Sequence, residues 1–124
     1  MLDRNLIFNL LEERNQKPRY FNNSKTIIET DSAGVFYVLE YRGSGRIGWT
    51  VSHNILRELK SYGQFCILFI NVTEEEMYII LESNKEFLES LDNQTGPYKI
   101  DKHDVEKYNI SFENLDEYLI SLNS

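Results

Sequence analysis

The chain has 124 residues, of which 41% are hydrophobic, and this is enough for one domain (residues 1–124) with a real core. Its formal net charge is −7, so it lacks the overall basicity that usually marks a nucleic-acid-binding domain. No apolar run approaches the roughly 20 residues of a membrane helix, and the first segment, MLDRNLIFNLLEERN, is too charged for a signal peptide, so we expect a cytoplasmic protein without membrane contact.

The first part of the chain predicts a helix followed by three strands. Apolar residues at 2, 6, 7, 10 and 11 recur at helical spacing and predict an amphipathic helix from Leu2 to Asn15, which Pro18 ends. Segment 19–25, with its turn-prone Asn22-Asn23-Ser24, is predicted as a loop. Three antiparallel strands are then predicted at 26–30, 35–42 and 46–51, with turns at 31–34 and 43–45.

The second part predicts further strands among helices. Ser52 is a good N-cap for a helix from His53 to Tyr62, and Gly63 stops that helix. The single cysteine, Cys66, excludes an internal disulfide and stands in the apolar run FCILFI, which indicates a buried structural thiol. The remaining elements are predicted as strands at 64–72, 77–82 and 98–100 and as helices at 85–91 and 112–122, with a break at 95–97.

This order of elements indicates an α/β (α+β) domain with a mixed sheet, an α-β-β-β-α-β core, helices on both faces and a C-terminal helix. Segments 35–42 and 64–72 are apolar on both sides, so we expect them to be central strands. The strand-helix-strand step from Arg46 to Val72 predicts a right-handed parallel crossover.

Charge is unevenly distributed along the chain. Residues 1–72 carry nine Lys/Arg and seven Asp/Glu, a net charge of +2, whereas residues 73–124 carry four Lys and thirteen Asp/Glu, a net charge of −9. The acidic part favours a basic protein partner. The basic part predicts a connected positive surface that contacts nucleic acid, formed by Arg42, Arg46, Arg57 and Lys60.

The most informative stretch is VFYVLEYRGSGRIGWTVS, residues 35–52, which predicts a strand, a glycine-containing turn and a second strand. The first of these strands places Glu40 two residues before Arg42, and side chains at that spacing share one face of a strand. A carboxylate and a cation in this arrangement can hold a divalent metal beside a scissile phosphate. They can equally form an ordinary ion pair at a strand end.

The order α-β-β-β-α-β, with a hairpin strand that ends in Glu-x-cation, resembles the PD-(D/E)xK superfamily, whose members have the restriction-endonuclease-like fold. The resemblance covers roughly residues 1–82. It implies one acidic residue early in the hairpin, a second at the end of the next strand and a Lys two residues later. In that family the two acids hold one or two Mg²⁺ ions, and the Lys orients the attacking water.

Carried over to this chain, the resemblance assigns Glu40 to the second acid and Arg42 to the position of the Lys. The position expected for the first acid reads Ser24-Lys25. Arg42 stays protonated and is a poor substitute for Lys in proton transfer. The resemblance therefore implies Glu40 and Asp31 as metal ligands and Glu40, Arg42 and Asp31 as catalytic residues, with Glu29 and Lys60 as alternatives.

Two functions follow from these observations. The favoured one is a non-catalytic or weakly active member of this fold that acts as a small acidic interaction or inhibitor protein without a cofactor. The alternative is a metal-dependent nuclease or DNA-processing factor that uses Glu40 and Mg²⁺. The partner is a protein in the first case and a nucleic acid in the second. The nuclease function, unlike the interaction function, requires a second carboxylate within about 5 Å of Glu40, close enough to share one metal ion.

Overall fold

The computed structural model describes residues 1–21, 24–92, 94 and 96–122, and it places a mixed five-stranded sheet between helices. The turn predicted at Asn22-Asn23 and the break predicted at Thr95 lie outside the described residues. The elements are α1 (Arg4–Glu13), β1 (Arg19–Tyr20), β2 (Ile27–Glu29), β3 (Val35–Tyr41), β4 (Gly48–Val51), α2 (His53–Lys60), β5 (Phe65–Asn71), β6 (Glu76–Leu81), α3 (Lys85–Leu91), β7 (Tyr98–Asp101), α4 (Lys102–Val105), a 3₁₀ turn (Glu106–Tyr108) and α5 (Phe112–Leu122).

The main sheet has the strand order β1-β2-β3-β5-β6. β2 runs antiparallel to β3, β3 runs parallel to β5 with Val38 opposite Leu68, and β6 returns antiparallel to β5. All seven residues of β5 are buried, as expected for a strand covered on both faces. The predicted mixed α/β sheet is therefore confirmed, and the two apolar segments predicted as central strands both lie inside it.

The third predicted strand does not join this sheet. β4 pairs antiparallel with β7 in a separate two-stranded ribbon, so the prediction of three consecutive antiparallel strands is wrong for 46–51. The parallel partner of β5 is β3 and not β4. The physical reason is the burial of Trp49, whose indole Nε1 donates to the carbonyl of Ile70 at 3.1 Å while its ring packs against Phe69. The ribbon thus lies against a face of the main sheet.

Two segments without a predicted element form regular structure. Arg19–Tyr20, predicted as part of a loop, pairs with β2 as the edge strand β1. Residues 102–108 form α4 and the 3₁₀ turn. A capping box begins α4, because the Asp101 carboxylate accepts from the Asp104 N–H at 3.2 Å and the Asp104 carboxylate accepts from the Asp101 N–H at 3.0 Å.

Helices cover both faces of the main sheet, as predicted. One apolar core contains Leu56 of α2 and Leu88 of α3 together with the β4–β7 ribbon. The other core contains residues of α1 and α5. The predicted apolar stripes of α1 and α5 are only partly buried: Leu2, Leu6 and Phe112 remain half-exposed, whereas the buried members are Ile7, Leu10, Leu11, Leu115 and Leu119.

A bidentate ion pair joins the two helices on this second face. Arg14, at the end of α1, donates through Nε and Nη2 to both carboxylate oxygens of Asp116 on α5. The hydrogen bond from Arg14 holds the pKa of Asp116 below its usual range, against the opposing effect of desolvation. The pair therefore links the packing of α1 and α5 to the ionisation of one carboxyl.

We expect Asp116→Asn to lower the Tm at neutral pH. A carboxyl whose pKa is lower in the folded state stabilises the protein above its unfolded pKa of about 3.9, and this contribution is lost as the pH falls through the folded pKa. The difference in Tm between wild type and variant should therefore be largest near neutral pH and disappear in stronger acid. Thermal melts across this pH range test the expectation. Glu117→Gln, an exposed neighbour, is the control, and an equal or pH-independent loss in both variants would contradict it.

We also expect Cys66 to be unreactive in the folded protein. Its side chain is 3% exposed, and burial raises the pKa of its thiol well above the usual range. Because the thiolate is the reactive form, Ellman's reagent should detect no thiol in the native state and one thiol per chain in guanidinium chloride. Rapid reaction of the native protein at neutral pH is the result that would refute the buried position.

Candidate functional site

Glu40 lies near the carboxyl end of β3, and its carboxylate meets the N-terminus of α1. Oε2 accepts a hydrogen bond from the backbone N–H of Arg4 at 2.9 Å and another from Nη2 of Arg42 at 3.1 Å. Oε1 lies 3.3 Å from Nη1 of Arg4, and the Glu40 side chain is only 13% exposed. Donors of the chain itself therefore surround the acid that the sequence motif singles out.

The N-terminus of α1 is arranged so that it can receive this carboxylate. Asp3 is the N-cap and accepts from the N–H of Leu6 at 3.0 Å, which leaves the N–H of Arg4 free for Glu40. The guanidinium of Arg4 also donates to the carbonyl of Val38 at 3.2 Å. Negative charge is favourable at a helix N-terminus, so Glu40 acts as a second cap that fastens α1 to β3.

Arg42 lies on the outer side of this cluster. Its side chain is 55% exposed, and Nη2 is 3.1 Å from Glu40 and 3.8 Å from Asp3. Glu40 and Arg42 thus form the ion pair that their spacing allows. Sequence reasoning missed Asp3 and Arg4, because a capping signal before a helix does not indicate which distant strand the helix end contacts.

Asp31 and Glu29 lie toward the other end of β3. Glu29 pairs in register with Val35, and Glu40 is five residues further along the strand, a separation of about 16 Å at the usual rise per residue. Both acids contact Arg19 instead, with Asp31 at 3.1 Å and Glu29 at 3.6 Å. The structure therefore does not bring either candidate first acid next to Glu40.

The chain segment that does run beside the end of β3 carries hydroxyl groups. The N–H of Val38 donates to the carbonyl of Thr26 at 2.8 Å, which aligns the segment before β2 with this part of the strand. The hydroxyls of Ser24 and Thr26 hydrogen-bond to each other at 2.8 Å. The position where the motif places its first acid thus has no carboxylate in this chain.

The Mg²⁺ ion that the resemblance implies does not fit these residues. Mg²⁺ requires oxygen ligands in near-octahedral geometry. The oxygens of Glu40 face the positively charged Arg4 and Arg42, and the nearby Asp3 is engaged as a helix cap. Across the described ranges, no three His, Cys, Asp or Glu side chains are grouped so that they could hold a metal ion.

The four predicted nucleic-acid contacts do not form the connected positive surface that we expected. Arg42 follows β3 at the end of the sheet where Tyr41 lies opposite Asn71. Lys60 ends α2 and lines a hollow with Phe65, which lies at the opposite end of β5. The prediction fails because α2 runs along the sheet and carries Lys60 away from Arg42.

The remaining two cations, Arg46 and Arg57, differ in their ion pairing. Arg46 is 87% exposed and pairs with Asp101 at 3.2 Å, on the rim of a groove of about 420 Å³ along the β4–β7 ribbon. Lys60 pairs with Asp92 at 3.3 Å. Arg57 is exposed and has no ion-pair partner within the residues described. Carboxylates therefore offset most of the positive charge on which the prediction depended.

Comparison of the chain with protein-family models finds no match, and no curated protein or solved structure matches it either. The resemblance to the PD-(D/E)xK superfamily consequently rests on the order of elements and on the Glu40-x-Arg42 ending of β3. In the part of the chain that the structure describes, no helix has the length and apolar character needed to cross a membrane.

We expect Glu40→Gln to lower the free energy of unfolding by about 1–3 kcal/mol, because it removes charge-assisted hydrogen bonds from a largely buried site. The amide of Gln keeps the shape of the side chain but loses the charge that faces Arg4. Arg42→Gln removes only an exposed partner and should cost under about 1 kcal/mol. Urea unfolding measures both values, and equal losses in the two variants would argue against the capping role of Glu40.

Proposed function

We propose that this chain is a non-catalytic domain of the restriction-endonuclease-like type that acts as a small acidic interaction protein. One observation carries the proposal, namely the enclosure of Glu40 by donors from Arg4 and Arg42. The acid in the motif position stabilises a helix end and offsets two guanidinium charges. It is therefore poorly placed to bind a metal ion or to activate water.

The arrangement of the strands supports the family part of the proposal. The β2–β3 hairpin precedes α2, and β5 then adds in parallel beside β3. The observed order α-β-β-β-β-α-β has one strand more than the α-β-β-β-α-β core, and Glu40 lies near the end of the second hairpin strand, where the motif places its second acid. The departures are the ribbon position of β4 and the hydroxyl groups of Ser24 and Thr26 where the first acid would stand.

The acidic surface supports the interaction part of the proposal. A net charge of −9 in residues 73–124 attracts a basic protein surface and repels the phosphates of nucleic acid. The lone buried cysteine favours a cytoplasmic setting for this interaction. Within the described part of the chain, exposed carboxylates without an ion-pair partner include Glu74, Glu75, Glu86, Glu89, Glu113 and Glu117.

The alternative, a metal-dependent nuclease, is favoured by the position of Glu40 at the end of a hairpin strand beside a cation. It requires Arg4 and Arg42 to release the Glu40 carboxylate to Mg²⁺, and it requires the nearby Asp3 to give up its role as the helix cap to become a second ligand. A guanidinium in place of Lys also leaves the attacking water without a group that readily exchanges a proton.

We expect no metal-dependent cleavage of nucleic acid by the purified chain. Without a positioned metal ion and water, most of the electrostatic acceleration of phosphodiester cleavage is absent. Single- and double-stranded DNA and RNA are incubated with the protein in Mg²⁺ and separately in Mn²⁺. The matched variants are Glu40→Ala and Glu89→Ala, the latter an exposed position on α3. Cleavage that Glu40→Ala abolishes and Glu89→Ala retains would overturn the non-catalytic function and establish the nuclease.

A further inference from the structure

A groove of about 500 Å³ opens between the start of α1, the start of β6 and the start of α5. Half-buried Leu2, Leu6 and Phe112 line it, and Met77 lies beneath them with 1% exposure. A volume of this size accommodates several side chains of a ligand. The groove is at the end of the sheet that also carries Glu40, because Glu76 at the start of β6 pairs with the last residue of β5.

The apolar lining of this groove continues the stripes that form the core. Leu2 and Leu6 extend the stripe of α1, and Phe112 extends that of α5, and the described residues cover these three side chains only in part. Apolar surface that stays open in this way is stabilised when another apolar group covers it. The lining therefore favours a partner that contributes apolar side chains.

The backbone of the groove wall is already hydrogen-bonded at Met77, which argues against a partner that adds a strand there. The carbonyl of Met77 accepts from the N–H of Ile110 at 2.9 Å and from the side-chain amide of Asn109 at 3.1 Å. The segment that follows the 3₁₀ turn thus covers this edge of β6. Recognition has to come from side chains that enter the groove.

Two carboxylates on the rim have no ion-pair partner among the described residues. Glu75, in the turn before β6, and Glu113, in the first turn of α5, are both exposed and make no ion pair with any described residue. The neighbouring Glu76 differs, since it accepts from the Tyr78 hydroxyl at 2.6 Å and lies 3.2 Å from Lys102. The rim therefore carries two exposed carboxylates without a direct ion pair, next to the apolar side chains of Leu6 and Phe112.

The backbone conformation at Glu75 is less favourable for Glu than for Gly or Asn. Its φ is +53°, in the left-handed region where Gly or Asn is less strained than other residues. Arg42 lines the adjoining hollow together with Glu75, and its guanidinium lies 3.1 Å from Glu40 and 3.8 Å from Asp3. We therefore expect Gly or Asn at position 75 to leave the fold no less stable.

We propose that this groove binds a short segment of a partner protein in which apolar side chains are flanked by Lys or Arg. The inference rests on the proposed interaction function and names its site and its class of partner. The apolar side chains cover Leu2, Leu6 and Phe112, and the cations pair with Glu75 and Glu113. The same charges disfavour nucleic acid and a second copy of this acidic chain.

The test uses the full chain labelled with ¹⁵N and a synthetic peptide that carries Leu and Lys at helical spacing. We expect amide resonances of residues 2–6, 75–77 and 109–113 to shift on titration. The double variant Glu75→Asn/Glu113→Gln should weaken the Kd about tenfold, as two exposed ion pairs allow. Glu75→Asn alone should have a Tm no lower than that of wild type. A loss of peptide affinity in this single variant then does not come from unfolding.

A matched control separates the groove from general charge attraction. Glu58→Gln/Glu89→Gln removes the same charge from exposed positions on α2 and α3, which cover the other face of the sheet. It should leave the Kd within about twofold, because exposed charges further apart than a Debye length are screened. Equal weakening in both double variants would overturn the proposal, as would equal binding of a peptide with Ser in place of Leu.

The remaining outcomes of the titration show which kind of molecule occupies the groove. Absence of shifts in the groove with the Leu–Lys peptide overturns this site but not the proposed function, which the cleavage assay tests separately. Shifts in the groove that depend on protein concentration without peptide would identify a second copy as the occupant and reject the basic segment. Shifts caused by RNA in place of the peptide would reject it in favour of a nucleic acid.

Discussion

The contact between the Glu40 carboxylate and the N-terminus of α1 determines the arrangement of one end of this molecule. β3 lies inside the sheet, paired with β2 on one side and β5 on the other, so Glu40 is presented from a rigid strand. The backbone N–H of Arg4 binds it, and the helix start is thereby fixed against the sheet. Because Leu2 and Leu6 precede and follow Arg4, the same contact positions the apolar side of the groove.

A carboxylate held in this way cannot readily serve a metal ion as well. Two guanidinium groups lie within 3.3 Å of Glu40, and a divalent cation at the same oxygens would face repulsion from both of them. A metal ion that drew Glu40 away from Arg4 would also leave the backbone N–H of Arg4, at the start of α1, without its hydrogen-bond partner in a partly buried position. The interaction that stabilises the fold thus competes directly with catalysis, and in this chain the structural use of the acid is the one that the geometry favours.

Much of this fold was predictable because its signals are local. Helical spacing placed α3 at Lys85–Leu91 and α5 at Phe112–Leu122 as observed, and Ser52 caps α2 through a hydrogen bond from the N–H of Ile55. The pairing of β4 with β7 was not predictable, because alternating side chains specify a strand but not its partner some fifty residues away. The candidate site failed for the same reason: Asp31 and Glu40 are close in sequence but lie toward opposite ends of one extended strand.

The charges at this end of the sheet divide into two groups with different physical roles. Asp3 and Glu40 are partly buried and hydrogen-bonded, and their removal would leave donors without partners. Glu75 and Glu113 are exposed and make no ion pair with any described residue. The backbone at Glu75 would be less strained with Gly or Asn. Glu113 also lies in the first turn of α5, where negative charge stabilises a helix, so folding accounts for part of its role. The proposed partner segment would cover the open apolar surface around Leu6 and pair with both carboxylates.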